Sequence, residues 1–167
     1  MSAFSPPPDP EALERVLSGA ALLGVEIDIR FRVLSATIEP AAGRHPLGEV
    51  DDARLQVLCH PVSTFLGALE RDVDGRGHIE TFDTEQLTDV AAAFAGEPLT
   101  APVLGRPEPR PGQWGPQFSI QGRSTAPDGR LRTVTIEVAT DDARLRIFAR
   151  CDEVEVRDPN GEDVEVD

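Results

Sequence analysis

Apolar and polar positions alternate most clearly over residues 131–157, LRTVTIEVATDDARLRIFARCDEVEVR. Val134, Ile136 and Val138 share one face of an extended chain, with Thr133, Thr135 and Glu137 on the other. After Asp141 and Asp142, Leu145, Ile147, Ala149 and Cys151 alternate with Arg144, Arg146, Phe148 and Arg150. A period of two across a polar turn predicts a half-buried antiparallel hairpin. Its apolar parity changes between Cys151 and Val154, which predicts a bulge near Asp152 and Glu153.

Ahead of the hairpin, the period changes several times. Asp9, Pro10 and Glu11 form an N-cap, a first-turn proline and a first-turn acid. Leu13, Val16, Leu17 and Ala20 follow at helical spacing, so a short helix is expected to end near Gly19 or, at the latest, Gly24. Residues 25–39 return to period two, with a parity change between Val33 and Leu34. One strand bulged at that point, or a two-sided central strand, is the expectation. Residues 53–60 read as a strand, Pro61 as an edge, bulge or break, and residues 62–70 as a further strand or a helical turn, with the strand favoured. The DVDGRG run at 72–77 reads as a turn, and HIETF as the returning strand.

A second helix is predicted from Leu87, Val90, Ala91 and Phe94, with Asp83 and Gln86 in capping-box positions and Gly96 and Pro98 as stops. Its stripe is expected to pack on the sheet face supplied by the terminal hairpin. Residues 99–104 are extended, 106–116 (RPEPRPGQWGP) form a long loop, and Phe118 and Ile120 begin another strand. The elements sum to an α+β, mostly β fold: a twisted antiparallel sheet or open barrel of about 7–8 strands. A helix packs on one face, and a short helix lies at the N-terminus. One domain is expected over 10–158, after a flexible Pro-rich lead-in at 1–9 and before a frayed acidic tail at 159–167.

Composition narrows the chemistry. At 167 residues the chain can bury roughly 68–70% of its unfolded surface, and 40% apolar with 28% charged residues excludes global disorder. The net charge of −14 opposes nucleic acid and anionic membranes and suits a basic partner. Every cation is an arginine, which excludes Schiff-base, P-loop and lysine-base chemistry. So complete a bias points to a GC-rich bacterial genome. Neither a signal peptide nor a membrane span is expected, and two cysteines make no disulfide framework. A cytoplasmic, reduced protein follows.

Candidate reactive sets are thin. His78, Glu80 and Asp83 lie close in sequence, and the first two would share a strand face, as a metal or acid–base pair requires. A polar strand face followed by a helix cap explains them as well, and no other spacing matches a metal site, so no metal or cofactor is expected. Cys59 and His60 are adjacent, which places them on opposite strand faces, and Cys59 reads as core filler. Ser63 and Ser119 fall in strands rather than a nucleophile elbow. Asp72, Asp74 and Gly75 form a turn, not a completed calcium loop. The stripe of Arg144, Arg146 and Arg150 is explained by cross-strand pairing with Glu137, Glu153 and Glu155, so nucleic-acid binding is not expected.

One feature resembles a binding element. Trp114, the only tryptophan, stands in a Pro-rich loop with Arg106, Arg110 and Pro111, a low-entropy anchor if exposed and a lid over the sheet if folded back. The functional expectation is a non-enzymatic, acidic interaction module for a protein partner of basic character, with room for a homo-oligomer. It would be an immunity or anti-effector type of protein, or a subunit of a larger assembly. The alternative is a small hydrolase or metal-dependent enzyme using His60, His78 or Glu80.

Overall fold

The computed structural model describes residues 8–73, 75–80, 82, 84–110, 118–121 and 132–167. Asp9, Pro10 and the apolar spacing make the helix α1 (Pro10–Leu17): the Asp9 carboxylate accepts from Ala12 N at 3.0 Å, and Ala12, Leu13, Val16 and Leu17 are buried. It ends at Gly19, whose positive φ of 75° suits a residue without a side chain.

Among the described residues seven strands follow: β1 (Ala21–Asp28), β2 (Val33–Glu39), β3 (Leu55–Val73), β4 (Arg76–Glu80), β5 (Phe118–Gln121), β6 (Arg132–Ala139) and β7 (Ala143–Arg157). They form one antiparallel sheet in the order β1-β2-β3-β7-β6, with β4 and β5 both added to β3. The protein is thus mostly β with few helices. The long pair β3–β7 is its axis, running from Gln56↔Arg157 to Arg71↔Ala143. The expected terminal hairpin is β6–β7, and its predicted apolar face, from Val134 to Cys151, is buried in the core.

The reading of residues 25–39 as one strand is corrected. The chain reverses between β1 and β2, with Asp28 paired to Val33. The Asp28 carboxylate accepts from Arg30 N at 2.9 Å and Phe31 N at 3.2 Å, an Asx turn that replaces ladder hydrogen bonds. The parity change at Val33–Leu34 is therefore a reversal, not a bulge. Ile29 and Phe31, apolar but at the tip, are 57% and 66% exposed.

Pro61 lies inside β3, in the gap between the end of β2 pairing at Cys59 and the start of β5 pairing at Thr64. A bulge stands beside it. Val62 pairs with Cys151 and Thr64 with Arg150, leaving Ser63 over, and Ser63 Oγ donates to the Arg150 carbonyl at 3.2 Å. Across from it, Cys151, Val154 and Val156 all reach the core, but the bulge expected on β7 near Asp152 and Glu153 is instead on the partner strand, at Ser63.

The second helix, α2 (Leu87–Ala92), buries Leu87 and Ala91, with Phe94 beyond it. It packs chiefly against β1, where packing on the terminal hairpin was expected. Gln86 stands at the N-cap position of α2, and Asp83, its expected capping-box partner, lies outside the described residues.

Residues 96–105 then link the two outer strands. Leu22 N donates to Glu97 O and Leu99 N to Ala20 O, at 2.9 and 2.8 Å on β1. Thr100 N donates to Glu137 O, Thr135 N to Val103 O and Gly105 N to Thr133 O on β6, at 2.7–3.0 Å. The start of β1 and much of β6 are covered in this way along their outer edges.

The tail expected to fray is docked. Val164 and Val166 are buried, Val164 N donates to Val156 O at 2.8 Å, and Asp9 N donates to Val166 O at 3.0 Å. The acidity of residues 159–167 suggested a solvated end, but two alternating valines are enough to hold it against β7 and α1.

Candidate functional site

The arginine stripe on β7 points away from the main core and is occupied by carboxylates. Glu137 is the hub. Its Oε2 accepts from Arg106 Nη1 at 3.0 Å, and its Oε1 lies 3.9 Å from Arg144 Nη1 and 4.0 Å from Arg146 Nε. Arg146 also approaches Glu70 at 3.5 Å, and Arg150 reaches Glu108 at 3.2 Å. Sheet register explains the first group, because Glu137 is directly opposite Arg146. These cations are balanced locally, as the cross-strand reading expected, although Glu137, Glu70 and Glu108 are the partners rather than Glu153 and Glu155.

Of the four residues expected at a binding loop, Arg106 is therefore tied to Glu137 on β6, and Arg110 also has a partner. Pro111 and Trp114 lie outside the described residues.

The histidines of the enzyme alternative stand on different parts of the sheet. His78 is exposed on β4 opposite Arg71, and Glu80 pairs with Arg71 at 3.2 Å. His60 lies opposite Glu153 near the middle of β3, on the order of 30 Å along the strand from Arg71. His60 and His78 therefore do not meet, and Asp83 is outside the described residues.

A different set forms around His60. Its Nε2 lies 3.2 Å from Glu155 Oε1 and 3.9 Å from Glu153 Oε2. One donor atom from each of the three falls within 4.8 Å of the others. Glu153 and Glu155 share a strand face because they are two residues apart, and antiparallel register brings that face over His60. The other oxygen of Glu155 accepts from Arg157 Nη2 at 3.1 Å. The only signal in the sequence was the pair of glutamates at period two; their opposition to His60 depends on long-range register.

The cysteines are buried on the core side. Burial and the hydrogen bond to Cys151, the larger cause, push the Cys59 thiol well above its ordinary value of 9.0. A protonated, enclosed thiol is a poor nucleophile, consistent with core filler. Ser63 is likewise held by its bond to Arg150 O. Asp72 precedes a tight β3–β4 turn at Gly75.

The strongest charge feature is the lower end of β7 with the tail. Along residues 152–167, Asp152, Glu153, Glu155, Asp158, Glu162, Asp163, Glu165 and Asp167 accompany a single cation of that stretch, Arg157. The Asp158 carboxylate accepts from Asn160 N at 2.9 Å and Glu162 N at 3.0 Å, which turns the chain back so that the tail runs beside β7. Docking of Val164 and Val166 thus converts an acidic tail into a fixed acidic edge.

A cleft of about 640 Å³ adjoins it, lined by Arg15, Arg44, His45, Glu165 and Asp167 among others. Arg44 donates to the Ser18 carbonyl at 2.9 Å. His45 accepts from Leu47 N through Nδ1, and its buried Nε2 has no hydrogen-bond partner among the described residues. A smaller apolar groove, about 480 Å³, lies beside Pro10, Pro102 and Leu104.

Comparison of the chain with protein-family models, with curated proteins and with solved structures returns no match. Among the described residues, no helix is long and apolar enough to cross a membrane.

Proposed function

We propose that the protein is an acidic interaction module that binds a protein partner with a basic surface, rather than an enzyme. The observation that carries this reading is the fixed acidic edge formed by the end of β7 and the docked tail. Carboxylates held in place by Val164, Val166 and the turn at Asp158 keep their spacing before a partner arrives, so less ordering entropy is lost on binding. A field of one sign also steers an oppositely charged partner and speeds its encounter. Neutralisation of a basic effector by an immunity-type protein is one form of this function, and service as a subunit of a larger assembly is the other.

The segment 106–116 is a second contact on this reading. Arg106 roots it to Glu137 on β6, and Trp114 supplies the aromatic anchor that charge alone lacks. Affinity capture of the tagged protein from its native lysate, at low and at moderate salt, tests the proposal alongside Trp114→Ala. One partner retained at low salt, and weakened by both salt and the substitution, is expected. Equal retention by the variant removes the loop from the interface, and retention of no partner counts against the module itself.

A further inference from the structure

We infer that His60, Glu153 and Glu155 form a binding site for a divalent transition-metal ion, independent of the partner reading above. Imidazole nitrogen with two carboxylate oxygens is a donor set suited to zinc, manganese or iron(II), and softer than the all-oxygen sets that magnesium and calcium prefer. Donors about 2.1 Å from a metal are roughly 3.0–3.4 Å apart at octahedral to tetrahedral angles. The His60 Nε2 to Glu155 Oε1 distance of 3.2 Å already falls in that range, and the 3.9 Å to Glu153 Oε2 needs only a small rotamer adjustment.

The scaffold favours such a site over a chance contact. All three side chains rise from the paired strands β3 and β7, whose register places His60 against Glu153, so the donors are held by the sheet and not by a loop. Arg157 donates to the outer oxygen of Glu155, which fixes that carboxylate with its other oxygen towards His60, as supporting residues do around metal ligands. His60 and Glu155 are about one-third exposed and Glu153 is 63% exposed, so an ion can enter from solvent and keep water on its open positions. Two carboxylates this close repel one another, and a bound cation relieves that repulsion.

Zinc titration of the metal-free full-length protein by calorimetry tests the inference. Wild type should take up one equivalent saturably. His60→Ala and Glu153→Gln should each weaken uptake by roughly 10-fold or more, while His78→Ala leaves it unchanged. Because the chain has only three histidines, the second readout is the imidazole proton spectrum with substoichiometric manganese(II). The His60 signal should broaden while those of His45 and His78 stay sharp. Circular dichroism and thermal unfolding establish that each variant is folded, and Glu153→Gln carries the test if His60→Ala is not. No saturable uptake, several weak equivalents indifferent to both substitutions, or equal broadening of all three histidines would overturn the site.

Discussion

The carboxylate of Glu14 on α1 accepts from the backbone of Val103 at 2.7 Å, and its second oxygen accepts from Leu104 N at 2.9 Å. One helix side chain therefore satisfies two donors of the segment that covers β6, while the Val103 carbonyl accepts from Thr135 N. Glu14→Ala should leave two partly buried N–H groups unpaired and cost about 2–4 kcal/mol, since each stranded donor costs roughly 1–3. Glu14→Gln, which keeps one acceptor, should cost less. Urea unfolding of the two variants measures the difference.

Gly67 is the close-approach position of β3. A Cβ there would lie 2.7 Å from Cζ of Phe82 and 3.1 Å from its Cε2, within a core where Phe82 is buried. Gly67→Ala should destabilise by about 1–3 kcal/mol through overpacking. Adding Phe82→Leu should recover part of that loss, because the clash is with the ring. A double-mutant cycle in urea resolves the coupling.

The alkaline limb of stability should report on the cysteines. With no lysine and no tyrosine in the chain, the thiols are the only side chains that titrate between about pH 8.5 and 11. The folded state holds the Cys59 proton to a pH well above 9.0, whereas the unfolded chain releases it at the ordinary value. The unfolded state therefore binds fewer protons as pH rises past that value, and the stability present below it is progressively lost. The slope due to one thiol should approach roughly 1.4 kcal/mol per pH unit. Cys59→Ala should remove the contribution of that thiol, at some cost from the cavity. Unfolding free energies from pH 7 to 11 provide the measurement.

Docking of the tail makes a further demand on stability. Val164→Ala with Val166→Ala should destabilise by about 2 kcal/mol through lost burial. Hydrogen exchange at Asp9 and Val164, whose amides bond across that junction, should accelerate more than exchange in the β3–β7 pair.

Local pattern carried the terminal hairpin, α1 and the buried stripe of α2, because each repeats its apolar period over several positions, in the hairpin as far as Cys151, and is bounded by caps or polar turns. The β1–β2 reversal escaped notice because Ile29 and Phe31 continue the apolar alternation through the turn, leaving Asp28 as its sole chemical mark. Docking of the tail was hidden by composition: the two valines that bury are outnumbered by the acids beside them. The His60 cluster was not legible at all. It depends on which residue of β7 lies opposite His60, and the Ser63 bulge shifts that register by one between the two halves of the strand pair. His78 and Glu80 looked related to His60 only because period and residue type say nothing of separation along β3.

The most direct test of the acidic edge compares wild type with Glu162→Gln, Glu165→Gln and Asp167→Asn combined, three exposed positions without a core role. The partner captured from native lysate is identified with wild type, and its binding to both proteins is then measured at low and moderate salt. Slower association, affinity weaker by roughly 10-fold and a shallower salt dependence in the neutralised variant are expected. Equal affinity and equal salt dependence in the two proteins would contradict the claim that this edge receives a basic partner.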